Sequence, residues 1–276
     1  MGMRRVVPVG VGLPLLGICW TLLWTQDTFW NPLFFMGMWS GATLLMYGAG
    51  ERGYPGLRRH LLLLVLSMPL WWWFELVNAR VGNWEYLGSE SHNTWEYAIM
   101  GSAAFSTVIP ALDSAWGLTV RGERSAVWMG RHRDIRRYGI QIGLGILFQV
   151  MVFMWPKVFY PLVWVAPFLV ADGLVGYKGG RSLVDDMIGR RWWLLTGVAM
   201  GGLLCGFLWE FWNFWSVPKW IYHVPLLDFG RVFEMPILGY GGYVPFAWSI
   251  YQLLRLRPVR RLVHVQDGGL TSMLLR

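Results

Sequence analysis

Two segments of the chain repeat an acid, an amide and an aromatic pair in the same order. Trp73-Phe74-Glu75-Leu76-Val77-Asn78 is followed by Trp84-Glu85-Tyr86, and Leu208-Trp209-Glu210-Phe211-Trp212-Asn213 by Trp220-Ile221-Tyr222. Further on, Trp95-Glu96 matches Phe233-Glu234, Gly101 matches Gly239, and Phe105 matches Tyr243. A glutamate and an asparagine three residues apart share one helix face, so the amide is expected to hydrogen-bond the carboxyl and fix its rotamer. Desolvation among Trp71, Trp72, Trp209 and Trp212 disfavours the charged form of such a carboxyl. An acid that keeps its proton in an apolar, aromatic surrounding is a proton donor. Aromatic faces beside it attract a cationic intermediate through their quadrupoles. The chemistry these residues suit is acid-initiated reaction of an alkene. Glu75 or Glu210 would donate the proton, Glu96 or Glu234 would assist or accept one, and Asn78 and Asn213 would orient them. Trp84, Tyr86, Trp220, Tyr222, Trp72, Trp209 and Tyr243 would line the substrate.

Each residue also has a structural reading. Trp and Tyr collect at membrane interfaces regardless of chemistry. Glu96 and Glu234 fall in expected first turns of helices, where the dipole favours a carboxylate. Glu75 and Glu210 sit at helix C-termini, where an acid opposes the dipole, so function or a pairing with Arg80 and Arg231 must account for them. His92 and His223 show no metal-ligand spacing. No cofactor is expected, a carboxylate-held Mg²⁺ or Ca²⁺ being the alternative. A diphosphate-metal reading of Asp185, Asp186, Gly189 and Arg190 rests on two acids alone. Asp113 and Asp172 read as ordinary helix-end polar groups. No nucleophile elbow, phosphate loop or zinc-protease motif is present.

The elements that must position these residues are membrane helices. The 276 residues are 55% hydrophobic and 14% charged, with 20 Trp and a mean hydropathy of +0.40. A soluble domain carries about 25% charged residues. Spans of roughly 17–25 apolar residues cross a bilayer, and eight are expected, at 6–25, 29–49, 60–78, 95–118, 139–156, 158–177, 192–214 and 232–254. Of the 24 basic residues, all but Arg80, Lys157, Lys219 and Arg231 fall in the termini and the loops after spans two, four and six. The positive-inside rule then places both termini in the cytoplasm of a multi-pass inner-membrane protein. It also explains the net charge of +8 through anionic lipid headgroups rather than nucleic acid. Arg4 and Arg5 precede the first apolar run, but Ile18 before Cys19 spoils a lipoprotein cleavage site, and that run reads as a retained helix. Cys19 and Cys205 lie in apolar runs and read as small hydrophobes. Glycine pairs Gly37/Gly41, Gly139/Gly143, Gly197/Gly201 and Gly202/Gly206 are expected at close helix crossings.

The fold expected is therefore all-α and membrane-integral. Its first four-helix repeat covers 1–120 and its second 139–254, joined by a basic linker at 121–138 and followed by a basic tail at 255–276. An even number of spans per copy makes the repeats parallel, related by an axis along the membrane normal. Glu75, Asn78, Glu210, Asn213, Glu96 and Glu234 then share the extracytoplasmic layer.

The duplicated helix-end acid, the Trp-bearing loop and the acid opening the next helix resemble the membrane-integral lycopene cyclases. These consist of two similar repeats, each with a Trp-bearing loop and a Pro-Glu-Glu segment leading into an aromatic-rich helix. Leu208-Trp209-Glu210-Phe211 is similar to the Trp-Glu-Phe helix of small membrane terpene cyclases, whose glutamate is thought to start protonation. The resemblance covers about a third of the chain. Phe233-Glu234-Met235-Pro236 carries acid and proline in the opposite order, Trp95-Glu96 has no nearby proline, and eight spans exceed the family pattern. It implies an isoprenoid cyclase or isomerase with Glu210 and Glu234, and their partners Glu75 and Glu96, as its acids. A non-catalytic subunit of a larger respiratory or photosynthetic type membrane complex, packing its tryptophans on partners or lipids, is the alternative. A small-solute transporter is third, because the polar residues gather at one face and not at the midplane.

Overall fold

The computed structural model describes residues 3–88, 93–120, 134–225 and 229–264. Glu90, His92, most of the basic linker and the end of the tail lie outside them. The helices in order are α1 (Met3–Thr25), α2 (Asn31–Ala49), α3 (Leu57–Val81), α4 (Thr94–Phe105), α5 (Val108–Thr119), α6 (Ile135–Met154) and α7 (Pro156–Phe159). They continue as α8 (Leu162–Tyr177), α9 (Leu183–Ile188), α10 (Trp192–Asn213), α11 (Tyr243–Leu253) and α12 (Arg257–His264). Among the described residues the strands are β1 (Trp84–Leu87), β2 (Lys219–Tyr222), β3 (Arg231–Val232) and β4 (Met235–Pro236), and a 3₁₀ segment, η1 (Ile237–Gly242), leads into α11. Among the described residues, five stretches are long and apolar enough to cross a membrane: Val6–Thr25, Leu57–Val81, Thr94–Thr119, Ile135–Met154 and Trp192–Asn213. Leu162–Tyr177 is a shorter apolar helix. The architecture is that of a polytopic, all-α membrane protein.

Three of the expected spans are interrupted, and proline explains where. The 95–118 stretch breaks between α4 and α5 because Pro110 has no N–H to return to Ser106. Ser67 of α3 patches the gap, donating to the Phe105 carbonyl at 2.6 Å and accepting from the Ile109 N–H at 3.1 Å. Freed backbone groups at membrane depth need such a partner. The 158–177 stretch starts with the one-turn α7, which opens on Pro156, and resumes as α8 after Pro161. At 232–254 the first residues are not helical. They form the β3–β4 hairpin with Glu234 in its turn, and the chain becomes α-helical only near Pro245.

Buried side chains on α2, α5, α10 and α11, among them Trp39, Ile109, Leu112, Trp116, Val198 and Ile250, form the core. Glycine lets α1 approach α2 and α11 approach α10. A Cβ on Gly41 would lie 2.5 Å from the Leu16 nitrogen, and one on Gly206 would lie 2.3 Å from the Tyr243 ring. Gly139 and Gly143 are different: nothing lies within 4 Å of a Cβ there, and the close crossing of α6 falls at Gly145, against the Ala166 carbonyl. Their helix turns that face outward, so the expected glycine crossing is displaced by about half a turn.

The ends of the helices away from β1 and β2 carry most of the ion pairs. Asp113 accepts from Tyr47 at 2.6 Å and pairs with Arg59 at 2.8 Å. Asp172 is fully buried and accepts from Gln141, Ser182, Gln252 and the N–H groups of Leu183 and Val184. It thereby caps α9 and ties α6, α8 and α11 together, far more than an ordinary helix-end group does. Asp185 accepts from Arg137 and Tyr138, and Asp186 pairs with Arg181 and Arg191. These two aspartates lie on α9 with Asp186 buried, not in a solvated loop, and arginines already neutralise them.

Candidate functional site

β1 and β2 pair antiparallel, with Trp84 opposite Tyr222 and Tyr86 opposite Trp220. Side chains alternate along a strand and opposed residues share a face. Trp84, Tyr86, Trp220 and Tyr222 therefore project from one side of the ribbon. Glu85 projects from the other and bonds the exposed His223 at 2.9 Å.

Each strand is held by the asparagine of its own helix end. The α3 C-cap is Gly82 in the left-handed region (φ 68°), which turns the chain back toward Asn78. Asn78 Oδ1 accepts from the N–H groups of Asn83 and Trp84 at 2.9 and 3.2 Å, and its Nδ2 donates to the Trp84 carbonyl at 2.7 Å. Asn213 accepts from the Trp220 N–H at 2.8 Å and donates to the Trp220 carbonyl at 2.7 Å. The asparagines thus clasp the ribbon. They do not orient the carboxyls as expected, because backbone groups with no strand neighbour on that side take both ends of the amide.

The carboxyls are held instead by aromatic side chains of the ribbon and of α3 and α11. Glu75 Oε1 accepts from Tyr86 Oη at 2.6 Å, Trp71 Nε1 at 2.8 Å and Trp84 Nε1 at 3.2 Å. Glu210 Oε1 accepts from Tyr243 Oη at 2.6 Å and Tyr222 Oη at 2.8 Å, with Trp220 Nε1 at a long 3.5 Å. Glu210 is fully buried, and its Oε2 has no partner among the described residues. Burial first, then the adjoining carboxyls, push the ribbon phenols Tyr86 and Tyr222 well above the ordinary tyrosine range, so both remain proton-bearing donors.

Neither acid pairs with the arginine expected of it. Arg80 donates to the Phe153 carbonyl at 2.9 Å, and Arg231 reaches Glu234 and the Tyr222 carbonyl. Glu96 and Glu234 are engaged elsewhere. Glu96 completes a capping box with Asn93 at the start of α4, accepting from the Asn93 N–H at 2.9 Å. Glu234 accepts from Lys219 Nζ at 2.5 Å. Among the described residues no group of three or more His, Cys, Asp and Glu side chains is placed to hold a metal ion.

Below the ribbon lies a cavity of about 390 Å³, lined by side chains of both halves. Trp71, Trp84, Tyr86, Tyr97 and Phe105 line it from the first half, and Trp164, Trp209, Trp220, Tyr222, Tyr243 and Phe246 from the second. The carboxyls of Glu75 and Glu210 stand behind this wall, and the groups that face the cavity are their hydrogen-bond donors. Of the expected lining, Trp72 stands apart: its Nε1 donates to Ser102 at 2.9 Å and fastens α3 to α4. Trp71, expected only to help desolvate the carboxyl, and Trp164 were not among the expected lining residues. Trp71 is one helical turn before Glu75, a spacing that brings two side chains together, so its role was readable. Trp164, whose ring lies 6.1 Å from that of Trp84 and nearly parallel to it, carries no local signal.

The chain matches no family model, and no curated protein or solved structure is significantly similar to it.

Proposed function

We propose that the chain is a multi-pass membrane enzyme that carries out acid-initiated cyclisation or isomerisation of an isoprenoid or other lipid alkene in the cavity under the ribbon. The observation that carries this reading is the pairing of an apolar, aromatic chamber with two carboxyls, Glu210 buried and Glu75 half-buried, both reached through phenol hydroxyls. Apolar walls with a few convergent polar groups are what small-molecule sites are made of. In this reading Glu210 supplies a proton through Tyr243 or Tyr222 to one alkene carbon. The resulting cation loses a proton from a neighbouring carbon, and the same relay returns it to the carboxyl. The net reaction consumes no co-reactant. Glu75 with Tyr86 is the second carboxyl of the pair.

The finer architecture belongs to the same proposal. Eight spans follow if α4 with α5, α7 with α8, and η1 with α11 each count as one crossing. Two parallel repeats are supported by the ribbon, in which Trp-x-Tyr faces its own sequence reversed across a local two-fold relation. The cytoplasmic placement of both termini rests on the arginine distribution alone.

Isotope exchange tests the reading whatever the product is. The protein is reconstituted in vesicles with linear isoprenoid alkenes in D₂O, and the recovered lipid is weighed by mass spectrometry. Deuterium uptake is expected with the native chain and absent in Glu210→Gln. Absence of uptake from every lipid offered to the native chain would sink the proposal. A non-catalytic membrane subunit is the second reading, favoured by the fact that the bonds of both acids to Trp84, Tyr86, Trp220 and Tyr222 also hold the ribbon in place. It expects a Glu210→Gln variant that loses ribbon stability and no chemistry.

A further inference from the structure

The cavity wall differs in thickness around its circumference. Among the described lining residues, three are exposed: Pro161 at the start of α8, and Leu238 and Gly241 in η1. They adjoin one another, since a Cβ on Gly242 would lie 2.9 Å from the Trp164 ring, one turn into α8. On the first-half side the matching wall is the regular helix α4, where Met100 is buried and only its outer residues, such as Trp95 and Ile99, are exposed. Backbone that departs from the α-helix is tolerated at membrane depth where it lines a cavity, and the 3₁₀ segment η1 lines this one. The rim of this opening is apolar. Val158 is 67% exposed and Ile237 56% exposed, and the exposed Phe229 adjoins η1 through the bond from the Ile237 N–H to the Gly230 carbonyl at 2.9 Å. The charged residues next along the chain, Lys157 and Arg231, suit the headgroup level to which long basic side chains extend.

We propose that the cavity is filled sideways from the membrane: a single-chain lipid, prenyl or acyl, slides its chain between η1 and the start of α8 from the leaflet on the ribbon side. The exposed apolar side chains of Val158, Phe229 and Ile237, near these lining residues along the chain, face hydrocarbon at far lower cost than water. This inference rests on the cavity being a site for an apolar molecule and is independent of the proton chemistry.

Photolabelling tests it. The full chain is reconstituted in phosphatidylcholine vesicles holding a long-chain prenyl alcohol with a diazirine on its chain, irradiated, and the adducts are mapped by mass spectrometry. Adducts are expected inside, at Trp84, Trp164 or Phe246, as well as outside at Trp95 and Ile99. Gly241→Phe places a ring where a Cβ meets nothing within 4 Å, and is expected to lose the inner adducts while keeping the outer ones. Leu238→Trp is a second plug at the same opening. Gly139→Phe, at an equally open position on α6, is expected to keep both sets. Adducts confined to outward residues would overturn the proposal. So would inner adducts that survive both plugs, or inner adducts formed equally by a short, water-soluble diazirine alcohol. Inner adducts without deuterium uptake leave the lateral route standing and remove the reaction, and the reverse result removes only the route.

Discussion

Around Glu75 and Glu210 the two halves meet the same requirement with different residues. Both set a carboxyl at the end of a helix, clasp the following strand with an asparagine, and bring a phenol from that strand to Oε1. They differ in the third donor. In the first half it is Trp71, on the same helix as the acid, with Phe105 packed against it at 6.0 Å between ring centres. In the second half the position matching Trp71 is Gly206. The space is filled by Tyr243, the counterpart of Phe105, whose hydroxyl takes over the bond. A tryptophan with a phenylalanine has been exchanged for a glycine with a tyrosine. The volume moves from one helix to its neighbour and the donor moves with it. What both halves keep is a carboxyl oxygen with at least three N–H or O–H groups in reach, and not any one residue. The second half also differs in depth, for Glu210 is fully buried whereas Glu75 is only half-buried.

The largest effect is expected from breaking the exchange on one side only. Gly206→Leu puts side-chain carbon into the Tyr243 ring and should cost about 3 kcal/mol, the upper range for overpacking a filled interior. Adding Tyr243→Ala should return part of that loss, which thermal unfolding in detergent would register. If the double variant is no better than the single one, the two positions are not coupled as described. Next come the clasps. Asn213 is fully buried and Asn78 is not. Asn213→Ala strands a buried N–H and carbonyl and should cost about 2–3 kcal/mol, against about 1–2 for Asn78→Ala. Equal losses would show that depth does not separate the half-sites. The smallest effect belongs to the outward face of the ribbon. His223→Ala removes the contact with Glu85, whose side chains are each 54% exposed, and should change stability by less than about 0.5 kcal/mol. A larger loss would mean that the ribbon, and not the helix ends, joins the halves.

The alternation of apolar spans with arginine-rich loops identified a helical membrane protein, and the paired motifs located both carboxyls and both Trp-x-Tyr strands. That much depends on local periodicity, which is carried by neighbouring residues. The asparagines were harder to interpret. Three-residue spacing on a helix predicts a bond to the glutamate, but a turn at Gly82 brings backbone N–H groups within reach, and these compete successfully. Glu96 and Glu234 looked equivalent by position, yet Asn93 makes the first a helix cap, while Lys219 and Arg231 draw the second into a hairpin. Trp164 joins the wall from a distant helix, and only the packing of α8 against α11 brings it there. The breaks near Pro110 and Pro245 were visible as residues, but their consequence depends on what fills the gap. Ser67 does so in the first half.

The ribbon has one further implication, for how the chain can change over time. Between Asn78 and Trp84 lie five residues, and between Asn213 and Trp220 six, so loop length ahead of the strand has room to vary. Within the strands it has none. Because inward and outward positions alternate, gaining or losing a single residue inside β1 or β2 would turn Glu85 or Ile221 toward the chamber and cast the aromatic side chains into water. Such an event in one half would strip donors from both acids at once, since each strand is the other's template. The two strands are therefore bound by parity: each can drift in composition alone, but neither can shift its register by one without disturbing the strand it pairs with.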